Sequence, residues 1–392
     1  MSLSTLPLSY CTNVHPGRSL QEVTNGLAEY TAPVRRQFGR PLAAGLWLAQ
    51  PVIQELSHAP QGIDHLARTL AEHDLCCYTL NAFPYGDFHS ERVKENVYIP
   101  DWTTPERLNY TTTCARVLSS LLPDGTEGSI STVPLGFKEL ARSAEFPEQC
   151  IDRLLELVRR LDDLHDETGR VIRLAIEPEP LCVLETTPET IAFFKTLYDR
   201  AAAANLLGAT RRHIGVCYDV CHQSVEFEDV AASIQDLRDA DIRINKVHIT
   251  CAVRLERPVE NVEGRTALAR YVEPRYLHQT FGRTPDGSVI HETDLADSLC
   301  ADPPPPFAAC EEWRIHFHVP VNAESLGPLG TTRSDLRRAL AAVQALEYAP
   351  HLEVETYTWE VLPGGERAPL VEGLTAELHA TSSLLDDLPS LR

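Results

Sequence analysis

The feature that most constrains this chain is the regular alternation of short apolar runs with longer amphipathic segments. The runs are Leu8–Val14, Ala44–Ala49, Cys76–Phe83, Ser129–Pro134, Arg173–Glu177, Ile214–Asp219, Ile244–Thr250, Arg314–Val319 and Leu352–Tyr357. Most are rich in Val, Ile, Leu, Tyr and Thr and too short for helices, so they are expected to be strands. Between them, Ser19–Phe38, Ile63–Glu72, Pro105–Leu122, Glu148–His165, Pro188–Ala204, Phe227–Asp239 and Ser334–Leu346 carry a helical period. In Glu148–His165 the residues Ile151, Leu154, Leu155, Leu157, Val158, Leu161 and Leu164 gather on one side and leave the charges on the other. Thr187-Pro188 offers a capping hydroxyl and a proline for the first helical position. Glu372–Leu385 is expected to be a closing helix.

Strand then helix, repeated about eight times, makes a mainly parallel sheet with helical crossovers. Eight units favour an α/β fold of the closed, TIM-type (β/α)₈ barrel. The open doubly wound sheet usually carries a Gly-rich phosphate loop after its first strand. Here Cys11-Thr12-Asn13-Val14-His15-Pro16-Gly17 follows that strand, and the chain has no GxGxxG. A barrel takes roughly 250 residues, more with insertions, so a single domain over 1–392 is expected. Nine strand-like runs are one too many. The stretch 252–311 is the least regular and holds Asp302-Pro303-Pro304-Pro305-Pro306, read as neither helix nor central strand. It is taken as a long insertion after the seventh strand, with Arg314–Val319 an accessory strand near the barrel mouth.

Composition narrows the partners. The formal net charge is −21, from 35 basic and 56 acidic residues. Backbone-phosphate binding rests on Lys and Arg, so no nucleic-acid partner is expected. No run of 18 apolar residues is present to span a membrane. Met1 to Thr12 lacks a basic stretch followed by an apolar one. The 11 cysteines show no framework or zinc-ribbon spacing, which fits a reduced, cytoplasmic compartment.

In a barrel of this class the chemistry sits at the C-terminal ends of the strands. The fifth run ends Ile176-Glu177-Pro178-Glu179, the sixth Tyr218-Asp219-Val220-Cys221-His222, the seventh Val247-His248-Ile249-Thr250 and the last Val354-Glu355-Thr356-Tyr357. Several carboxylates converging on one mouth repel each other, and a divalent cation resolves this. Glu177, Asp219, His248 and Glu355 are therefore expected to hold one divalent metal ion. Three carboxylates and an imidazole suit Mn²⁺, Mg²⁺, Co²⁺ or Zn²⁺. Glu179 is expected to support these ligands from behind. Tyr78, Phe83, Tyr85 and Phe88 are candidates for an apolar wall, with core packing the commoner role. His316-Phe317-His318 is read as an amphipathic strand with two surface histidines, although alternate residues share a face and both could look into the mouth.

The order Glu, Asp-x-x-His, His, Glu over the last four strands resembles the xylose isomerase-like barrels, which include sugar epimerases and isomerases and the endonuclease IV type. Asp219-Val220-Cys221-His222 is similar to their sixth-strand motif. More narrowly, Leu8-Ser9-Tyr10-Cys11-Thr12-Asn13-Val14-His15-Pro16-Gly17, Asn81-Ala82-Phe83-Pro84-Tyr85-Gly86 and Ile176-Glu177-Pro178-Glu179-Pro180 resemble the EboE metabolite traffic proteins. The resemblance implies metal ligation by Glu177, Asp219, His248 and Glu355, with Glu177 and Glu355 doubling as the acid/base pair. It places His222 and Arg254 on substrate oxygens. Asn13 and His15, on the first barrel loop, are expected to line the pocket. The endonuclease IV type adds histidines on early strands for a trinuclear zinc cluster. Here those strands end Asn81-Ala82-Phe83 and Ser131-Thr132-Val133, so one metal is expected.

The function implied is a metal-dependent sugar or polyol isomerase or epimerase acting on a small hydroxy-carbonyl metabolite. The substrate is expected to be polar, phosphorylated compounds included, with Arg254 on an anionic headgroup. The alternatives are a non-enzymatic metabolite binding or traffic protein and an endonuclease IV-like phosphodiesterase.

Overall fold

The apolar runs become parallel strands: Leu8–Cys11, Leu42–Trp47, a third in two pieces (Leu75–Cys76 and Thr79–Asn81), Gly128–Thr132, Ile172–Ile176, Ile214–Asp219, Ile244–Ile249 and His351–Val354. Each pairs in parallel with its neighbours, and the last pairs with the first, Ser9 standing opposite Glu353, so the sheet has no open edge. The result is a closed eight-strand barrel wrapped in helices. The structure, a computed structural model, describes residues 5–59, 61–364 and 368–388. The start of the Met1 to Thr12 stretch, residues 1–4, lies outside them.

The helices form where their caps allow. Phe146–Thr168 buries its leucine face and stops at Gly169, whose φ of 69° suits the left-handed C-cap. The helix Thr187–Ala203 begins one residue earlier than its sequence signal. Thr186, not Thr187, is the cap, in a reciprocal capping box with Glu189. The Thr187 hydroxyl instead donates to Glu228 on the neighbouring loop.

Between the seventh and eighth barrel strands the chain builds a second, six-stranded sheet that is antiparallel. Its order is Val289–Glu292, Thr280–Arg283, Glu312–Ile315, Val253–Glu256, Leu329–Thr331 and Ser325–Leu326. The stretch 252–311 is thus far more regular than its composition announces. Its strands are short and their partners distant, so no local period advertises them. The proline run also differs from expectation, because Pro305 and Pro306 open a one-turn helix, Pro305–Ala308. A proline lacks only the N–H that the first helical turn leaves unpaired.

Parallel register turns alternate residues of adjacent strands to the same side. Glu353 lies opposite His248, and Lys246 two residues earlier also points inward. Lys246 Nζ and Glu353 Oε1 are 2.6 Å apart, both side chains wholly buried. Gly45 makes room for this pair: a Cβ there would lie 1.5 Å from Glu353 Oε2. The interior of this barrel therefore carries a charged column below the mouth, not only apolar layers.

Candidate functional site

At the C-terminal mouth the predicted quartet comes together. His248 Nδ1 lies 2.9 Å from Glu177 Oε1, 3.2 Å from Glu355 Oε2 and 3.5 Å from Asp219 Oδ2. All four side chains are buried, and their donor atoms lie within 4.8 Å of one another. The remaining oxygens are partly committed. Glu355 Oε1 accepts from Asn13 at 2.9 Å and from Asn81 at 2.7 Å. Asp219 Oδ1 accepts from the Thr250 hydroxyl at 2.6 Å and the His222 amide at 3.1 Å. Glu177 Oε2 and Asp219 Oδ2 are buried with no hydrogen-bond partner. Unpaired buried carboxylate oxygens are costly, and a divalent cation among these four donors would pair them. The donor set fits such an ion.

The electrostatics follow from the crowding. Burial, with the Asp219 charge beside it, raises the Glu177 carboxyl above the usual range, against the pull of His248. Burial and Glu177 push the Glu355 carboxyl up to about 7, again with His248 opposing. Burial works to raise Asp219 too, but His222, His318 and His248 override it and hold that carboxyl low. Burial also works against a charged His248, yet Cys217, Glu177 and Glu355 hold it well above an ordinary imidazole. Beneath it, Glu353 lies 3.3 Å from His248 Nε2. Burial penalises the Glu353 charge, but Lys246 and His248 draw its carboxyl down to about 2. Glu353 was not singled out in the sequence. The signal was available: Lys246-x-His248 and Glu353-x-Glu355 alternate, so each pair shares the inner face.

Three histidines complete the mouth, and two of them overturn the reading of surface positions. His316 and His318 are buried and line the cavity with His222. The chain leaves the second sheet at Ile315 and crosses the mouth, held by His316 N to Gln279 O and Val319 N to Cys251 O, each 2.9 Å. Each imidazole has Nδ1 on an oxygen: His222 on Pro178 O at 3.0 Å, His318 on Glu355 O at 2.8 Å, His316 on Gln279 Oε1 at 2.7 Å. A carbonyl only accepts, so these contacts fix the Nδ1–H tautomer for His222 and His318. For His316 the reasoning runs through Gln279, whose Nε2 donates to Pro180 O at 3.1 Å, leaving Oε1 to accept. Nε2 of His316 and of His318 is then an unpartnered buried lone pair. Asp219, His222 and His318 also meet within 4.8 Å. The mouth thus offers a second set of metal-type donors that shares Asp219 with the predicted four. The local sequence could show only the two-residue spacing of His316 and His318, because what buries them is a distant strand pairing.

The other predicted residues divide. Asn13 lines the cavity and holds Glu355. His15 does not reach the cavity. Its Nε2 meets the Tyr10 hydroxyl at 2.9 Å and its ring stacks on Tyr30. Arg254 is also a correction: it sits within the second sheet, 2.9 Å from Glu312 and 2.6 Å from Glu256, and is not among the cavity-lining residues. Antiparallel pairing of its strand with Glu312–Ile315 supplies those carboxylates. Glu179 is buried against the cavity and accepts from the Tyr98 hydroxyl at 2.7 Å. Of the four aromatics, Phe83 and Phe88 face the cavity. Tyr78 bonds to Pro7 O and Tyr85 packs on Tyr110. The cavity opens to solvent.

No protein-family model matches the chain, and no curated protein matches it. Solved structures match its fold. One is a xylose isomerase-like TIM barrel protein from Mycobacterium smegmatis in complex with magnesium, at TM-score 0.53 and 12% identity, covering 98% of this chain and 99% of that one. An L-ribulose 3-epimerase matches at TM-score 0.52 and 13% identity, over 97% and 94%. The IOLI protein, solved with a zinc atom, matches at TM-score 0.50 and 13% identity, over 98% and 100%. At these identities the likeness concerns the fold alone, a TIM-type barrel similar to those of these proteins.

Proposed function

We propose that this chain is a metal-dependent isomerase or epimerase of a small hydroxy-carbonyl metabolite. The observation that carries the reading is the convergence of Glu177, Asp219, His248 and Glu355, with two unpaired carboxylate oxygens, at the mouth of a solvent-open cavity. The likeness in fold to an epimerase and to zinc- and magnesium-bound barrels supports it. A divalent ion held by these four residues supplies Lewis-acid polarisation of a carbonyl.

The chain's own groups supply the proton chemistry. Glu355, at the mouth beside Glu177, is placed to take a proton from a bound substrate and give it back. Its Oε1 is fixed by Asn13 and Asn81, which leaves Oε2 for this role. Glu177 is the second acid/base group. His222, with Nδ1 tied to Pro178 O, presents Nε2 to substrate oxygens. Glu179 and Tyr98 keep the cavity floor in place. We place the protein in the cytoplasm, in the metabolite context of the EboE-like resemblance. Among the described residues no helix is long and apolar enough to cross a membrane, and all eleven cysteines are free thiols. The alternative of a binding or traffic protein lacks a reason for two poised carboxylates.

The test is Glu355→Gln, which keeps shape and removes basicity. Turnover on a panel of ketoses and hydroxyketones should fall by about 10²-fold or more, with the thermal melt close to wild type. Full activity in the variant, or no turnover by the wild type on any member of the panel, overturns the reading.

A further inference from the structure

The carboxylates and imidazoles of the cavity, Glu177, Glu179, Glu355, His222, His316 and His318, gather at the floor. The wall also includes Phe83, Phe88, Val97, Tyr276, Leu277 and Tyr357, with Lys94 beside Tyr276. Phe88, Tyr276 and Tyr357 pack on one another at ring-centroid distances of 5.0, 5.4 and 4.9 Å, and Tyr357 lies 4.8 Å from His318. Their arrangement brings an aromatic wall directly against the polar floor. The hydroxyl of Tyr276 is spent on Phe88 O at 3.2 Å, and that of Tyr98 on Glu179. Apart from the Tyr357 hydroxyl, the wall therefore offers mainly ring faces and edges.

Charge points the same way. Lys94 is the one permanently cationic side chain among the described residues lining the cavity. Its ammonium is committed to Glu273 O, Tyr276 O and Asp294, at 3.0, 2.6 and 2.6 Å. Arg254 is held elsewhere by Glu312 and Glu256. A phosphate entering this cavity meets carboxylates and finds no uncommitted lysine or arginine among the described residues lining it. A polyol meets hydroxyl partners along only part of its length, and groups left unpaired on burial weaken binding.

We propose that the substrate is an uncharged hydroxy-carbonyl compound carrying an apolar substituent, such as a ring, which packs against the Phe88–Tyr276–Tyr357 wall. This rests on the isomerase reading for the polar end alone. Such a ligand places its oxygens at the carboxylate and histidine floor and removes its ring from water against three aromatic side chains.

The experiment is calorimetric titration of the full chain with three probes: hydroxyacetone, 1-hydroxy-3-phenylpropan-2-one and dihydroxyacetone phosphate. The phenyl compound should bind at least about tenfold more tightly than hydroxyacetone, as burial of a ring implies, and dihydroxyacetone phosphate should bind more weakly than the phenyl compound. Phe88→Ala should erase most of that preference, and Phe88→Leu, which keeps the site filled, should lower it less. Equal affinity for phenyl and unsubstituted probes in the wild type, or tighter binding of the phosphate, overturns the proposal without need of any variant. Tight binding of the phenyl probe with no turnover of any hydroxyketone sinks the isomerase reading and leaves the role of the aromatic wall standing.

Discussion

Lys246 and Glu353 face each other inside the barrel, both side chains wholly buried. Lys246 Nζ also reaches Leu80 O and Ser131 Oγ at 3.3 Å, and Ser9 donates to Glu353 Oε2 at 3.1 Å. Such a pair is poor evidence of added stability over an apolar filling, but breaking one member is expensive because the other stays buried and unmatched. Lys246→Met should therefore lower unfolding free energy by about 3–5 kcal/mol in urea titrations, and adding Glu353→Gln should restore part of it. A single substitution without measurable cost would contradict the burial described. These residues also show what was legible. Glu177, Asp219, His248 and Glu355 were readable because each lies at the end of its apolar run or within two residues of it, where a polar residue stands out. Glu353 and Lys246 sit within such runs, and only the inward alternation marks them. Arg254 was misplaced because its ion-pair partner Glu312 is supplied by antiparallel pairing across some fifty intervening residues, which no local pattern encodes.

The strands were legible from their apolar runs and the helices from their period, but the second sheet was not. Its strands are two to four residues long and exist because partners meet, not because of intrinsic period. The closing helix Leu370–Asp386 shows an element acting beyond its packing face. Its Glu377 is wholly buried and accepts from Thr356 Oγ1 at 2.6 Å, Trp359 Nε1 at 2.9 Å and Val321 N at 3.1 Å. It ties the strand end next to Glu355, the turn after it and the segment that follows His318. Despite three donors, burial pushes the Glu377 carboxyl up to about 7 from 4.5. Between those values the folded chain holds a proton that the unfolded chain has released. Its contribution is fully present below the unfolded value and is lost as pH rises through about 7. The effect is capped at about 3 kcal/mol. Chemical denaturation from pH 5 to 8 should show wild-type stability falling with pH more steeply than that of Glu377→Gln. Parallel profiles would remove Glu377 as the cause.

At the scale of the molecule, the mouth concentrates acidic groups in a chain that is already acidic overall. A cation bound only by the folded state stabilises it by mass action, about 3 kcal/mol at a hundredfold excess over its dissociation constant. Stripping divalent ions with a chelator should lower the melting temperature, and adding back Mn²⁺ or Zn²⁺ should restore it. Sodium at equal ionic strength should not. An unchanged melt after chelation, with elemental analysis confirming removal, would count against a cation at the mouth. The closed barrel was legible at this scale because eight strand–helix units leave few other architectures; how the second sheet folds over the mouth was not, since that depends on tertiary pairing alone.

The position of the second sheet has a temporal consequence. The seventh strand ends at Ile249 and the eighth begins at His351, so during synthesis about a hundred residues must emerge before Lys246 meets Glu353 and before Asn13 and Asn81 meet Glu355. Until then the nascent barrel is an open ring with a positive charge inside it and an incomplete mouth, and its first strand still lacks the neighbour that will hydrogen-bond Ser9 to Leu352, 343 positions away. Closure is necessarily a late event. The ribosome-bound chain is therefore most in need of shielding during the interval in which the second sheet is being made, and a chain halted there would expose the open edges of its first and seventh strands.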